Sequence, residues 1–243
     1  MQLKRHNIQY YLKFAFNSLY GFYAPHLCLI CKNTINFNNK RSDYICNKCL
    51  DSLPLAKDSE HILNDINTAL GKEKVSIDNA VSLFDVSSHG DFLEVIHALK
   101  YQSLKMIGYE FGKLLWKKMK MEGRQVYDFI VPVPLHSAKK RERGYNQSDL
   151  IGLGLSEISG IPFNKRLLKR KSYTKTQTLL NASERQINLL GVFSGSSKSN
   201  LIEGKRILIV DDVLTTGSTI NNAAIELKKA GALTVDAATL AKA

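Results

Sequence analysis

The chain has 243 residues, of which 44% are hydrophobic and 23% are charged, and its formal net charge at pH 7 is +12. This composition is ordinary for a soluble globular protein, and no stretch approaches the roughly 18 apolar residues of a membrane span, so we expect no transmembrane segment. The length allows one medium-sized and one small domain, and the excess of 34 basic over 22 acidic residues favours polyanionic partners.

The N-terminal segment from Tyr10 to Tyr23 superficially resembles a secretory signal, but Lys13, Asn17 and Ser18 interrupt its apolar run. Apolar side chains instead recur at helical spacing, at Ile8, Leu12, Ala15, Leu19 and Phe22. This spacing predicts an amphipathic helix that packs on the next module.

All four cysteines lie in one short window, as two C-x-x-C pairs separated by fourteen residues: Cys28 with Cys31, and Cys46 with Cys49. Two pairs at this separation can place four thiolates tetrahedrally around Zn²⁺, and a small module with little apolar content needs such a crosslink. Disulfides, which a reducing cytosol disfavours, and an iron site are the alternatives. Four thiolates fill the coordination shell, so the spacing predicts a structural zinc site and metal-dependent folding.

A polar stretch from Lys57 to Lys74 follows the cysteines, and we expect it to be a loosely helical linker. The domain boundary is therefore predicted near residue 76. Residues 1–75 would hold the N-terminal helix, the metal module and the linker, and residues 76–243 a second domain.

The second domain begins with a segment from Val75 to Val86 that alternates enough to predict one or two strands. Apolar spacing predicts a helix over residues 91–100 and another over residues 107–121. The single tryptophan, Trp116, falls in the second helix and is predicted to pack in the core rather than to stack on a base.

A strand that begins at Phe129 and ends in prolines leads into a strongly basic loop. The loop carries four cations ahead of a helix that we expect to begin near Ser148; they are Lys139, Lys140, Arg141 and Arg143. Mobile cations and amide groups after a strand can bind an anion such as a pyrophosphate. A solvated basic turn is the alternative.

The segment from Ile158 to Ser183 contains no acidic residue. It supplies six cations with Phe163 and Tyr173 between them, at Lys165, Arg166, Lys169, Arg170, Lys171 and Lys175. Cations that follow a phosphate backbone and rings that stack on bases are typical of proteins that bind single-stranded nucleic acids. A lysine-rich solvated surface is the alternative. We expect weak, sequence-independent and salt-dependent binding of single-stranded DNA here and at Lys139 and Lys140.

The most informative segment runs from Ile207 to Thr219. Its first four residues are apolar, as in a strand buried on both faces, and a turn of small residues then opens a helix. Apolar residues recur along one helix face, at Ile220, Ala223, Ala224 and Leu227, and Gly231 is a plausible C-cap. Backbone N–H groups and the helix dipole converge at the helix start, so a phosphate is predicted there.

Asp211 and Asp212 follow the buried strand directly, at the edge where open α/β sheets bind ligands. Two carboxylates would repel a phosphate, so they must face another group. Ribose hydroxyls and Mg²⁺ are the natural candidates, since both are bound by oxygen acceptors.

This segment resembles the phosphoribosyl-pyrophosphate (PRPP) loop of type I phosphoribosyltransferases, in which the acidic pair holds the ribose hydroxyls and the turn holds the 5′-phosphate. The resemblance assigns the PRPP site to Asp211, Asp212, Val213, Leu214, Thr215, Thr216, Gly217, Ser218 and Thr219, with the two aspartates as the catalytic candidates. PRPP is a cytoplasmic metabolite, so we expect a cytoplasmic protein.

The chain also resembles the ComF family, bacterial competence-associated proteins related to phosphoribosyltransferases. The motifs that carry the likeness are the double C-x-x-C module, Leu99–Tyr101, Val131–Leu135, Arg143–Gln147, Gln177, Arg185 with Asn188, and Asp211–Gly217. Ser137 and Ala138 depart from the family, which is often basic there.

The resemblance implies an α/β fold with a type I phosphoribosyltransferase-like, mostly parallel sheet flanked by helices, preceded by a small zinc-ribbon-like module. It implies PRPP with Mg²⁺ as ligand, single-stranded DNA uptake during natural transformation as the setting, and a helicase or membrane translocator as partner. The residues expected near the pyrophosphate are Pro134, Leu135, His136, Arg141, Arg143, Asn146, Gln147, Gln177 and Arg185.

Two functions fit these features. In one, the chain binds PRPP and DNA without turnover; in the other, it transfers ribose 5-phosphate from PRPP to an acceptor. The sequence ends soon after the strand predicted from Thr234 to Leu240, so we expect no C-terminal hood to select a nucleobase, which favours binding.

Overall fold

The computed structural model describes residues 26–36, 40–87, 93–99, 105–123, 126–170, 192–195 and 199–243. The chain divides into two compact units, Met1–Leu53 and Pro54–Ala243. This division differs from the boundary expected near residue 76. Among the described residues, none of the helices combines the length and the apolar character needed to cross a membrane. The predicted N-terminal amphipathic helix lies outside the described residues.

The first unit is a small module built around its cysteines. An isolated antiparallel bridge joins Leu27 to Thr34, and the short helix α1 spans Asn47–Asp51. Cys28, Ile35, Ile45 and Cys49 are buried. The core formed by the described residues of this unit is small and releases little hydrophobic free energy, which is the usual reason for a crosslink in a small module.

The second unit is organised on a four-stranded parallel sheet in the order β1-β6-β5-β2. The strands are β1 (Asn79–Asp85), β2 (Phe129–Pro132), β5 (Arg206–Leu214) and β6 (Thr234–Lys242). A separate antiparallel pair joins β3 (Leu168–Arg170) to β4 (Phe193–Gly195). The predicted fold class, a parallel sheet flanked by helices, is confirmed.

The helices of the second unit cover the parallel sheet on both faces. They are α2 (Ser59–Leu70), α3 (Leu93–Ala98), α4 (Met106–Met121), α5 (Ser137–Arg143), α6 (Gln147–Ser159) and α7 (Ser218–Lys229). Helices α2 and α7 share a core with Ile207 and Ile209 of β5. Helix α6 lies against β2 and β5 on the opposite face, and α4 packs on α6. Trp116 of α4 is buried, as predicted.

The backbones of α4 and α6 touch because each helix presents a glycine to the other. A Cβ atom added to Gly112 would lie 2.2 Å from the carbonyl oxygen of Ile151, and one added to Gly154 would lie 2.0 Å from that of Tyr109. Any other residue would push the helices apart. This contact fixes the position of α6, whose first turn reaches the site described below.

Both edges of the parallel sheet are paired with short extended segments. Asp85 donates its N–H to the carbonyl of Pro54 at 2.8 Å, and Ala56 donates to Leu83 at 3.0 Å. At the other edge, Ile130 donates to Pro162 at 2.9 Å and accepts from Asn164 at 2.9 Å. Covered edges leave few free backbone groups to pair with another chain.

Two local expectations are corrected. The stretch 57–74, expected to be a linker, contains α2, because Asp58 caps the helix by accepting from the His61 N–H at 3.0 Å and because Ile62 and Ile66 are buried in the sheet core. The stretch 137–143, expected to be a loop, is α5. His136 accepts from the Ala138 N–H at 3.2 Å at its start, and Gly144 ends it in the left-handed conformation.

Candidate functional site

A cavity of about 450 Å³ opens beside the carboxyl ends of β2 and β5. Its volume lies within the range of about 300–1,000 Å³ typical of small-molecule sites. The lining comes from four places: α3, the segment from β2 to α6, the end of β3, and the segment from β5 to α7. The lining residues are Ile96, Val133, Pro134, Leu135, Lys139, Arg143, Asn146, Gln147, Ser148, Arg170, Asp211, Asp212, Val213 and Thr219.

The acidic pair ends the buried part of β5, so the sheet itself aims it at the cavity. Ser148 donates its hydroxyl to Asp211 Oδ1 at 2.9 Å, and the backbone N–H of Asp212 donates to the same oxygen at 2.9 Å. Burial, followed by the negative charge of Asp212, raises the pKa of Asp211 to about 7, although the hydrogen bond from Ser148 and the charge of Arg170 oppose the shift. A cation or hydroxyl donors at this carboxylate would stabilise its ionised form.

The first turn of α6 forms the wall beside the acidic pair. Asn146 donates its side-chain amide to the Val133 carbonyl and to Asp149 Oδ1, both at 3.0 Å, which ties the start of α6 to the segment after β2. Gln147 is only 2% exposed, and its Nε2 donates to no other group among the residues described. A buried amide without an acceptor costs free energy, so a ligand oxygen in the cavity would stabilise it.

Three cations line the cavity, and they come from two separate elements. Lys139 and Arg143 lie in α5, and Arg170 ends β3. The Arg170 guanidinium lies 5.4 Å from the ring centre of Phe193, which is its partner in the antiparallel register of β3 and β4. A buried ring holds the planar guanidinium in place by cation–π attraction.

The turn between β5 and α7 requires glycine at one position. Gly217 has φ +80°, and a Cβ added there would lie 3.1 Å from both Cγ atoms of Ile66 in α2. The following helix is anchored by Asn221, whose side chain accepts from the Ser76 N–H at 2.7 Å and donates to the Lys74 carbonyl at 2.9 Å. Contacts with α2 and with the segment before β1 therefore fix the position of the turn that is predicted to hold a phosphate.

The structure brings part of the predicted site into one cavity. Residues of the predicted PRPP site that line it are Asp211, Asp212, Val213 and Thr219, and those of the predicted pyrophosphate site are Pro134, Leu135, Arg143, Asn146 and Gln147. Lys139 and Arg170, predicted to contact DNA, also line it. The described residues His136, Arg141, Leu214, Thr215, Thr216, Gly217 and Ser218 do not line it. Gln177, Arg185, Lys171, Tyr173 and Lys175 lie outside the described residues.

Three lining residues were not predicted. Ser148 was named only as a helix start, although its place in the first turn after the basic segment was a usable signal. Ile96 is an apolar residue that no motif distinguishes from core residues, and Val133 belongs to the Val131–Leu135 motif but was given no role at the site. Only the fold brings them to the cavity.

The four cysteine sulfurs meet the requirements of a zinc site. All four Sγ atoms lie within 4.8 Å of one another, and those of Cys31 and Cys46 are 3.7 Å apart. Tetrahedral Zn²⁺ with sulfur at about 2.3 Å needs sulfurs about 3.8 Å apart. The donor set could therefore hold zinc, as the spacing predicts.

Hydrogen bonds favour the ionised, metal-binding form of one of these cysteines. Although burial raises the pKa of Cys28, N–H groups of Cys46, Cys31 and Ile30 that point at its sulfur lower the pKa to about 7. The Cys46 N–H lies 3.4 Å from that sulfur. Burial and the neighbouring sulfurs raise the pKa of Cys49. Four ionised thiolates in this space therefore need a cation among them.

Comparisons with known proteins relate the chain to phosphoribosyltransferases and to competence proteins. A family model described as a phosphoribosyl transferase domain matches residues 138–243. Competence protein F of Haemophilus influenzae is 29% identical over 228 residues, which cover 89% of this chain and 96% of that protein. The chain resembles this competence protein over nearly its whole length.

Other relatives match a smaller share of the chain. DNA utilization protein YhgH of Salmonella typhimurium is 36% identical over 145 residues, or 58% of this chain and 63% of that protein. Competence protein ComFC of Bacillus subtilis is 34% identical over 116 residues, or 46% of this chain and 43% of that protein.

The chain is also similar, at lower identity, to solved phosphoribosyltransferases. A glutamine PRPP amidotransferase from B. subtilis has a TM-score of 0.38 and 24% identity, and the match covers 54% of this chain and 26% of that one. A purine phosphoribosyltransferase from Pyrococcus horikoshii has a TM-score of 0.35 and 24% identity, with coverage of 56% and 73%.

Proposed function

We propose that this ComF-family protein binds PRPP with Mg²⁺ in the cavity and single-stranded DNA on the basic surface beside it, in support of DNA uptake. The observation that carries the proposal is a single cavity with an acidic pair on one strand end and three cations with a buried amide around it. The names of the relatives, competence protein and DNA utilization protein, support a competence-related role. PRPP as ligand would place this role in the cytoplasm.

The carboxylates would hold the ribose end of the ligand. Oδ1 of Asp211 already accepts two hydrogen bonds, so Oδ2 and the Asp212 carboxylate are the acceptors left for ribose hydroxyls. Mg²⁺ bound here would neutralise charge on the pyrophosphate, and carboxylate oxygens are its usual protein ligands. Thr219 and the first turn of α7 would hold the 5′-phosphate, where N–H groups and the helix dipole favour an anion.

The cations would hold the pyrophosphate end. Lys139, Arg143 and Arg170 line the cavity together with Gln147. Guanidinium groups bind phosphate oxygens with paired hydrogen bonds, and the amide of Gln147 supplies a neutral donor. A ligand with a hydroxylated centre and a polyphosphate end fits both groups, whereas a simple carboxylic acid would use only the cations.

Calorimetry on the intact, zinc-loaded protein tests this proposal. We expect PRPP with Mg²⁺ to bind, and Asp211→Asn with Asp212→Asn to weaken binding by at least about tenfold, because two charge-assisted contacts are lost. Asp65→Asn is a matched control, since its carboxylate pairs with Lys242 and does not line the cavity. If PRPP, ribose 5-phosphate and pyrophosphate all fail to bind, the proposal is wrong.

Turnover is the second candidate function, and one observation favours it. The cations that would stabilise a departing pyrophosphate stand in the same cavity as the carboxylates that would hold the ribose, which is the arrangement a phosphoribosyl transfer requires. Release of pyrophosphate from PRPP, measured with candidate bases and with single-stranded DNA, distinguishes the candidates. Release that depends on Asp211 and Asp212 would establish an enzyme.

The DNA surface has its own test. Lys140, Arg141, Lys165, Arg166 and Lys169 are exposed, so their charges are available to a phosphate backbone. We expect weak binding of an oligothymidylate that decreases steeply with salt, because each phosphate contact releases counterions. Affinity that is the same at low and high salt would contradict the proposal. The expected helicase or translocator partner stays a prediction from the family resemblance.

A further inference from the structure

Two basic segments that are far apart in the sequence meet at the mouth of the cavity. Helix α5 contributes Lys139 and Arg143 to the lining and carries Lys140 and Arg141 as exposed neighbours. The segment that ends β3 contributes Arg170 to the lining and carries exposed cations just before it, at Lys165, Arg166 and Lys169. In each segment, the surface cations and the cavity cations belong to one short stretch of chain.

Both segments supply cations to the lining of one cavity, and further cations of both act on the start of α6. Asp149 lies in the first turn of α6, where burial raises its pKa and the charges of Lys165 and Lys140 both oppose that rise. One cation from each segment therefore lies near the same carboxylate. On the cavity side, the charge of Arg170 acts on Asp211 in the same way. Positive charge thus continues from the exposed surface into the cavity.

We propose that PRPP and single-stranded DNA bind with negative coupling, because both polyanions use Lys139 and Arg170. This inference rests on the proposed function and adds its regulation: the phosphoribosyl ligand would release DNA from the mouth of the cavity, and DNA would release the ligand. DNA would pass over the exposed cations and place one phosphate at the two cavity cations. A pyrophosphate bound between the same two cations takes that place.

The sign of the coupling follows from charge. One ammonium and one guanidinium group cannot neutralise a DNA phosphate and a pyrophosphate at once, and the two anions would repel each other across a short distance. Coupling between two sites is reciprocal, so each ligand must weaken the other by the same factor. We expect a factor of about 5 to 20, at the lower end of the range for coupled sites.

Fluorescence anisotropy of a labelled oligothymidylate, with Mg²⁺ constant throughout, measures the coupling. Saturating PRPP should raise the DNA dissociation constant by the factor given above, and magnesium pyrophosphate should do the same. Ribose 5-phosphate lacks the pyrophosphate, so it should leave DNA affinity unchanged. In a plot of the logarithm of the DNA dissociation constant against the logarithm of the salt concentration, PRPP should also lower the slope. The slope should fall by roughly 0.7 for each cation that binds PRPP instead of a DNA phosphate.

Matched variants separate shared cations from surface cations. Lys139→Gln and Arg170→Gln should each weaken both ligands and reduce their coupling. Lys165→Gln should weaken DNA alone, and PRPP should still weaken the remaining DNA binding by the full factor. Lys139 and Lys165 are both exposed, so neither change disturbs the core, and Lys139→Gln tests the idea even if Arg170→Gln fails to fold.

The outcomes are distinguishable. If calorimetry detects PRPP binding and DNA affinity is unchanged or increased by PRPP, the proposed coupling is wrong while the proposed ligand stands. Increased affinity would mean that DNA joins PRPP in one complex, as an acceptor would. Absence of PRPP binding in calorimetry would overturn the proposed function and the coupling together.

Discussion

A serine hydroxyl holds the carboxylate on which the ligand site depends. Ser148 is buried in the first turn of α6, and its hydrogen bond to Asp211 fixes one carboxylate oxygen and leaves the other to the cavity. Hydrogen bonds to charged groups contribute about 1.5–3 kcal/mol. The geometry makes Ser148 a positioning residue for the carboxylate rather than a group that meets the ligand's charge.

Ser148→Ala is expected to weaken ribose 5-phosphate by about tenfold or more, because the Asp211 carboxylate loses its orientation. Pyrophosphate uses the cations and should bind as before. Ser156→Ala is the matched control: it lies on the same helix and donates to the Ile161 carbonyl at 2.6 Å, away from the cavity. Calorimetry with both ligands provides the measurement, and an equal loss for both ligands would indicate general damage instead.

The same carboxylate should reduce the stability of the protein without ligand. The pKa of Asp211 is raised to about 7, so the folded state holds the proton more tightly than the unfolded chain does. The stability that this proton contributes is complete below about pH 3.9 and is lost as the pH rises through about 7. Asp211→Asn removes the titration.

We therefore expect Asp211→Asn to stabilise the protein more at pH 8 than at pH 5, by about 1–3 kcal/mol, measured by urea unfolding. Asp128→Asn is a control that should change the free energy of unfolding in the opposite direction. The N–H of Arg206, which donates to its carboxylate at 2.8 Å, lowers the pKa of Asp128, so this change should reduce stability equally at both pH values. A gain from Asp211→Asn that does not depend on pH would contradict the expectation.

At the scale of elements, much of the second unit is predictable because local signals agree there. The Ile207–Val210 run, the acidic pair and the small-residue turn predicted a strand, a site and a helix start, and the structure has β5 and α7 at those places. Helix α2 was expected only as a loosely helical linker, because its sequence is polar and its two buried isoleucines gain their partners only from distant strands. Tertiary packing, rather than local sequence, therefore stabilises that helix.

The contact between α2 and the turn at Gly217 provides a test of that packing. Gly217→Ala is expected to lower the free energy of unfolding by about 1–3 kcal/mol, because φ is positive and the new methyl group would press on Ile66. Gly204→Ala has a similar φ of +70° but no described atom within 4 Å of the added Cβ, so it should cost less. Gly217→Ala should cost less in an Ile66→Ala background, which lacks both Cγ atoms, as measured by urea unfolding.

At the scale of the whole molecule, the two units depend on different forces. The second unit buries a continuous apolar core, whereas the described part of the first has few buried side chains and four clustered sulfurs. The cysteine spacing predicted that cluster because thiolate ligands must be close in sequence in a module so small. The cavity could be predicted only in part, since Lys139, Arg170 and Ile96 meet there through the fold.

Removal of zinc should therefore unfold one unit and spare the other. In a chelator-treated protein we expect loss of hydrogen-exchange protection at Cys28, Leu29 and Ile35, whose N–H groups donate to backbone carbonyls within the first unit. Amides of β5 and β6 should keep their protection. Mass spectrometry of the exchanged peptides measures both, and added zinc should restore the loss. Unchanged protection of the metal-free module would show that metal does not hold it.

The glycine contact between α4 and α6 links remote packing to affinity. Gly154 lies six residues beyond Ser148, about 9 Å along the helix axis, and neither glycine lines the cavity. A larger side chain at either glycine would displace the whole of α6 and move Ser148 and Gln147 away from Asp211. Natural variation at these two positions would then be read as altered ligand affinity, although neither residue lines the cavity.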